Sequence, residues 1–228
     1  MNVVILAGGL GTRLSEYTKS IPKPMVKIKS IPIIIHIMKI YSKYGYKNFI
    51  IAAGYKKKII SDYFKKNKFD WNVKIINTGK NTMTGGRLKR LSPYLKNQTF
   101  MLTYGDGVAD INKKKLVSFH NKNKKMITLS AVRPPARFGV IKLKGNKVKY
   151  FREKSSIDEG WINGGFFVIN SKFLELLKND KTFLEGKPLE KAAKKNQLLA
   201  YKHYGFWQCM DTIRDKEILE KNIHKIKI

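Results

Sequence analysis

The side chains in this sequence best equipped for chemistry gather in three stretches. The first is Leu6-Ala7-Gly8-Gly9-Leu10-Gly11-Thr12-Arg13-Leu14, followed by Pro22-Lys23-Pro24-Met25. Glycines let a backbone approach a polyphosphate closely and turn successive amide N–H groups toward it. Arg13 adds a planar fork that suits a leaving pyrophosphate. Lys23, held between two prolines of fixed φ, is a preset point charge near the same phosphates. The pattern is not the Walker loop, because no Gly-Lys-Ser/Thr follows. Nor is it the dinucleotide fingerprint, whose third glycine position holds Leu14. A glycine turn alone could be an ordinary turn; joined to Arg13 and Pro-Lys-Pro it reads as a phosphate site.

The second stretch is Thr103-Tyr104-Gly105-Asp106-Gly107. A carboxylate between two glycines just beyond a buried strand can hold Mg²⁺, which takes one or two carboxylates plus phosphate oxygens. A turn aspartate bonding its own backbone is the alternative. In a chain with only 16 acidic residues the metal-binding reading is preferred. The third stretch is Trp207-Gln208-Cys209-Met210-Asp211-Thr212-Ile213-Arg214-Asp215, where Asp211 is the natural partner carboxylate. Asp211-Thr212 could equally cap a helix, and both roles are compatible. The histidines at 36, 120, 203 and 224 fit no zinc spacing. In-line phosphoryl chemistry needs no covalent intermediate and so no histidine nucleophile.

These stretches need a scaffold that brings them together. Residues 3–7 form a short continuous apolar run, the mark of a strand buried on both faces of a parallel sheet. Further strands are expected at 49–53, 73–77 and 99–103, and helices at 33–44, 57–64 and 86–94. This alternation predicts a parallel α/β sheet. After Asp106 the spacing shortens, with strands expected at 128–132, 139–143, 148–152 and 165–169 and a helix starting at 173–177. The second half thus adds mixed strands over the mouth of the first. Such sheets bind ligands at the carboxyl ends of their strands, where the strand order reverses, and the candidate motifs fall at such ends.

With 228 residues and 43% apolar composition, the chain can bury a core without staples. Its one cysteine, Cys209, excludes an internal disulfide and fits a reducing compartment. The apolar stretch at 33–38 is far too short to span a bilayer, and the N-terminus does not read as a signal peptide. A cytoplasmic protein without membrane association is expected. The formal net charge is +31, from 47 basic and 16 acidic residues. Such a field attracts nucleic acid, anionic lipid or phosphorylated substrates. Yet the forty lysines scatter from Lys19 to Lys227, and the seven arginines sit inside ordered-looking motifs. The excess therefore reads as compositional drift, and a basic nucleic-acid-binding protein is the minor alternative.

The glycine stretch with Pro22-Lys23-Pro24-Met25 resembles the signature of the sugar-1-phosphate nucleotidyltransferases. Met83-Thr84-Gly85-Gly86-Arg87-Leu88-Lys89-Arg90, Thr103 through Asp110, and Arg137-Phe138-Gly139 resemble their glucose-1-phosphate cytidylyltransferase branch. So do Ile162-Asn163-Gly164-Gly165-Phe166-Phe167 and Gly205 through Asp215. The resemblance implies a Rossmann-like, GT-A-like α/β fold with a mixed, mostly parallel sheet and helices on both faces. It implies one domain over residues 1–228, with a nucleotide half (1–110) and a sugar-phosphate half (111–228). The implied reaction is CTP + α-D-glucose 1-phosphate → CDP-glucose + pyrophosphate, with Mg²⁺ as cofactor, leading toward deoxysugars of a surface polysaccharide.

It also implies residue roles. Leu6, Ala7, Gly8, Gly9, Gly11, Thr12 and Arg13 would contact the nucleotide and its phosphates, with Lys23 on the phosphates. Thr82 and Arg87 would lie at the cytosine and Gly105 near the nucleoside. Asp106 and Asp211 would bind Mg²⁺. Glu153 and Lys154 would lie near the sugar phosphate, and Asn163 and Gly164 at the sugar hydroxyls. Arg13, Lys23, Asp106 and Lys154 are the expected catalytic set. Two departures stand out: the segment before Ile75 lacks a longer insertion carried by the branch, and Ser155 stands where proline is usual. Contacts made by that insertion, including those across a subunit interface, do not carry over, so a homo-oligomer stays open. Arg87 can donate to O2 or N3 of either pyrimidine, so uridylyl or thymidylyl transfer to another sugar 1-phosphate remains the alternative.

Overall fold

The computed structural model describes residues 1–134, 140–152 and 160–226. Seven strands form the main sheet: β1 (Asn2–Ala7), β2 (Asn48–Ala53), β3 (Asn72–Asn77), β4 (Thr99–Tyr104), β5 (Ile127–Val132), β6 (Ile162–Asn170) and β7 (Leu198–Lys202). Their order is β7-β5-β6-β4-β1-β2-β3. Within it, β6 runs antiparallel to β4 and β5, and the remaining pairs are parallel. The mixed, mostly parallel sheet expected from the sequence is therefore present.

The apolar runs are strands because both of their faces are covered. Successive strand side chains point to opposite faces. Val3, Ile5, Ala7, Phe49, Ile51 and Met101 enter one core, and Val4, Leu6, Ile50, Ala52, Phe100 and Leu102 the other. Helix α1 (Ile33–Ser42) packs Ile33, Ile34, Ile37, Met38 and Tyr41 into the first core, joined by Ile60 of α2 (Lys57–Lys66). The second core takes Leu88 of α3 (Thr84–Arg90), with Leu91 and Leu95 just beyond it.

Residues 86–94, expected as one helix, divide between α3 and a separate turn, Ser92–Leu95. Pro93 has no amide hydrogen to continue the first ladder, and instead sits in the first turn of the second. The helix expected to start at 173–177 is a 3₁₀ segment, Ser171–Leu176. Helices α4 (Lys113–Asn123) and α5 (Lys187–Lys194) escaped the sequence reading, whereas α6 (Ile213–Asn222) begins where Asp211-Thr212 was read as a possible cap. Strand β7 and a short antiparallel ribbon that pairs Gly107–Ala109 with Trp207–Cys209 escaped it too. Strands Val140–Lys144 and Lys147–Arg152 form a hairpin of their own outside the main sheet.

β1 lies between β2 and β4, so the chain order reverses at its carboxyl end. An open α/β sheet offers its crevice at such a point. The glycine stretch leaves from the end of β1, and Gly105-Asp106 from the end of β4.

Candidate active site

Beyond Ala7 the chain passes through Gly8 and Gly9 to Gly11, which adopts the left-handed backbone at φ 67°, ψ 34°. Without a Cβ this conformation carries no steric cost. The Gly11 carbonyl accepts from the Leu14 amide at 2.9 Å and from the Thr18 hydroxyl at 3.0 Å. These bonds fold the chain into a turn that carries Arg13 to the rim, its side chain largely exposed. Pro22 precedes and Pro24 sits within a 3₁₀ turn, Lys23–Met25, closed by the Met25 amide on the Pro22 carbonyl at 2.8 Å. The Lys23 side chain is thereby directed inward and only 12% exposed.

Asp106 is placed by two tethers. The Gly105 amide donates to the Leu6 carbonyl at 3.0 Å, tying the end of β4 to β1. The Met210 amide donates to the Asp106 carbonyl at 2.9 Å, extending the ribbon in which Cys209 lies opposite Gly107. That ribbon delivers Asp211. Thr212 then caps α6, its hydroxyl accepting from the Asp215 amide at 3.1 Å. The buried Asp215 carboxylate accepts in return from the amides of Thr212 at 2.9 Å and Asp211 at 3.2 Å. Capping falls to Thr212, which leaves the Asp211 side chain for the cavity.

Lys23 Nζ lies 2.6 Å from Asp106 Oδ2 and 2.6 Å from Asp211 Oδ1, and Arg13 Nη1 lies 3.0 Å from Asp211 Oδ2. Burial alone would lower the Lys23 pKa, but the two carboxylates more than offset it and hold it above the ordinary value. The ammonium that the sequence places on phosphates here joins two acids. Side chains that aim oxygens at one cationic point could share a divalent cation. Among the described residues no group of three or more His, Cys, Asp or Glu is placed to hold a metal. A cation here would need phosphate or water oxygens as well, as Mg²⁺ ordinarily does.

A cavity of about 790 Å³ opens over these groups. Of the residues singled out in the sequence, Leu6, Ala7, Gly8, Gly9, Gly11, Thr12, Arg13, Lys23, Thr82, Arg87, Gly105, Asp106, Asn163 and Asp211 all line it. Residues 2–213 match the family model for nucleotidyl transferase. The chain belongs to that family. The glucose-1-phosphate cytidylyltransferase of Salmonella typhimurium is 46% identical over 243 residues, which cover 96% of this chain and 95% of the relative. The D-glycero-alpha-D-manno-heptose 1-phosphate guanylyltransferase of Campylobacter jejuni is 34% identical over 74% of this chain and 76% of its own. Among solved structures, HddC from Yersinia pseudotuberculosis complexed with GMP-PN matches with a TM-score of 0.78 at 25% identity, over 97% of this chain and 99% of that one.

In this nucleotidyl transferase the far wall of the cavity comes from α3 and β6. The Met83 amide bonds the Asp180 carbonyl at 2.8 Å and the Gly86 amide the Thr182 carbonyl at 3.0 Å, so the 180–184 loop lies against the start of α3. Tyr104, Thr84 and Asn163 line that side. Behind them the Glu185 carboxylate accepts from the Thr84 hydroxyl at 2.6 Å and from the Tyr104 hydroxyl at 2.5 Å. Burial and then Glu185 raise the Tyr104 pKa, so it stays a donor. Glu185 carries no sequence motif and escaped the sequence reading.

Gly164 is buried behind the wall, its carbonyl accepting from Trp207 Nε1 at 2.8 Å, and it does not line the cavity. Glu153, Lys154 and Arg137-Phe138-Gly139 lie outside the described residues. Cys209 does line the cavity, but burial and the nearby Asp211, Asp106 and Asp215 push its thiol up to about 12. Both effects disfavour the thiolate.

Proposed function

We propose that the protein transfers a cytidylyl group from CTP to α-D-glucose 1-phosphate, releasing pyrophosphate. The convergence of the glycine loop, Lys23, Asp106 and Asp211 on one cavity supports the reaction class. The 46% identity to the Salmonella typhimurium cytidylyltransferase supports the choice of substrates.

An oxygen of the sugar phosphate attacks the α-phosphorus in line. The bond from that phosphorus to the α–β bridging oxygen breaks, and pyrophosphate departs with the electron pair. The attacking phosphate is already anionic near neutral pH, so no general base is required. The obstacle is bringing two anions together. Amides of the glycine loop and the fork of Arg13 bind the triphosphate, and Lys23 turns to the phosphates when its carboxylate partners are otherwise satisfied. Holding the pair in line removes ~7–11 kcal/mol of barrier through orientation. Asp106 and Asp211 would hold Mg²⁺, which supplies charge neutralisation on the phosphate oxygens. On the opposite wall Asn163 and Tyr104 offer an amide and a hydroxyl to the hexose hydroxyls, with Glu185 behind them holding the Tyr104 hydroxyl. The motif Glu153-Lys154 implies a lysine near the sugar phosphate, complementing Lys23 on the triphosphate.

The test is a panel of CTP, UTP, dTTP, GTP and ATP, each incubated with glucose 1-phosphate and Mg²⁺ and followed by pyrophosphate release. Preference for CTP is the expected result. No release with any nucleotide or sugar phosphate, together with salt-sensitive binding of DNA or RNA, overturns the proposal.

A further inference from the structure

Arg87 is buried, and both of its Nη groups are already engaged. Nη1 donates to the Thr78 hydroxyl at 2.8 Å and the Gly79 carbonyl at 2.6 Å. Nη2 donates to the Gly8 carbonyl at 2.8 Å and the Lys80 carbonyl at 3.2 Å. Those four contacts occupy the paired hydrogens with which an arginine would read a base edge. They also draw the loops after β1 and β3 onto one guanidinium. Space for it is made by absent side chains. A Cβ on Gly8 would stand 2.0 Å from Nη1 and 2.3 Å from Cζ, and one on Gly54, just after β2, 2.4 Å from Nη1. Each acceptor is neutral, so the guanidinium charge beneath the phosphate loop is met by no carboxylate within these bonds.

The Gly8 carbonyl, which also accepts from the Tyr55 amide at 3.2 Å but takes its shorter bond from Arg87, is the informative contact. The described chain has no cis peptide, and in a trans unit the C=O and the following N–H point in opposite directions. Holding the Gly8 oxygen against Arg87 therefore aims the Gly9 N–H the other way, and Gly9 lines the cavity. If that peptide flipped, a carbonyl oxygen would face the phosphates in place of a donor.

We propose that Arg87 is the positioning residue of the phosphate loop, fixing the Gly8–Gly9 peptide so that its amide meets the triphosphate, and that it takes no part in choosing the base. This rests on the proposed nucleotide site, so the wild-type panel above is run first. Binding of inorganic tripolyphosphate, followed by calorimetry, needs neither turnover nor a base and reads the loop by itself.

R87M is expected to weaken tripolyphosphate binding and to raise KM for CTP and UTP alike, each by at least about tenfold. The CTP:UTP ratio of kcat/KM and the KM for glucose 1-phosphate stay within about twofold of wild type. R87K, which keeps the charge but not the fork, serves in the same assays if R87M does not fold. G8A, whose new methyl meets only Arg87 among its nearest contacts, is expected to reproduce the loss. The G8A/R87M double variant should be no worse than either single change. A collapsed CTP:UTP ratio with tripolyphosphate binding unchanged would make Arg87 a base reader and overturn the inference. Additive losses in the double variant would overturn it as well. Wild type that binds tripolyphosphate yet turns over no nucleotide defeats the proposed function and leaves this inference standing.

Discussion

Exchanging Lys23 for methionine keeps most of the aliphatic stem and removes the one ammonium bonded to both Asp106 and Asp211. Breaking a fully buried ion pair by deleting one partner costs ~3–5 kcal/mol. Here the acids are 27% and 23% exposed, so water shares the load. A loss of about 2 kcal/mol is the reasonable scale. For a chain of this size that lowers Tm by roughly 4–8 °C. The variant also leaves two carboxylates facing one another beside the rim residue Arg13, so a divalent cation becomes the natural neutraliser. Without nucleotide, Mg²⁺ or Mn²⁺ is expected to raise the Tm of K23M while moving wild type little, because Lys23 holds the same place. At a free concentration a hundred times Kd the gain is ~2.7 kcal/mol, enough to recover the whole loss. Scanning calorimetry with and without cation, and titration of Mn²⁺ by electron paramagnetic resonance, provide the readouts. Equal cation shifts in the two proteins, or a K23M that melts with wild type, would show that Lys23 and a metal do not contend for these acids.

Three further outcomes follow from the geometry. E185Q and Y104F are expected to raise KM for glucose 1-phosphate by about three- to thirtyfold with KM for CTP unchanged, since each disturbs the Tyr104–Glu185 hydrogen bond at the proposed sugar wall; steady-state kinetics with either substrate varied decides this. Lys113, wholly buried with Nζ 3.1 Å from the Ile111 carbonyl and 4.3 Å from the centre of the Phe166 ring, is pushed by burial from 10.5 to about 7. The folded state then binds fewer protons than the unfolded one between those values, so stability rises with pH across that interval. Melting curves should show that rise in wild type and its loss in K113M, which is also the more stable protein at neutral pH. T212A removes the cap of α6 and one anchor of the Asp211 segment; a loss of about 1 kcal/mol, some 2–4 °C in Tm, is expected, with a larger proportional fall in kcat.

What could be read from the sequence was whatever a local pattern encodes. The run Val3–Ala7 declared a strand buried on both faces, and glycines beside Arg13 and Lys23 marked out the residues that the structure gathers on one cavity. Asp106 stood out because glycines flank it. Helices α4 and α5 were hidden because lysines coat them; α4 buries little beyond Lys113, Leu116, Val117 and His120. The partnership of Asp106 with Asp211 was legible as chemistry but not as geometry, since it depends on three paired residues on each side of a ribbon closed across half the chain. Glu185 and Gly54 matter through what they touch, and no spacing marks either. Lys23 was expected on phosphates, and the structure places it in the cavity bonded to two acids. Its charge was legible; which anion holds it in a chain without nucleotide depends on the packing around it.

The ribbon between residues 107–109 and 207–209 also sets when the enzyme comes into being. During synthesis on a ribosome, the loop after β1 and the acid after β4 are both made while the second acid is still untranslated. Until Trp207-Gln208-Cys209 arrives, Gly107–Ala109 presents a bare strand edge, and edges of that kind invite pairing with other polypeptides. Closure of this small ribbon removes the hazard and seats Asp211 in the same event. The pairing of Asp106 with Asp211 proposed above is therefore completed only after residue 211 is made.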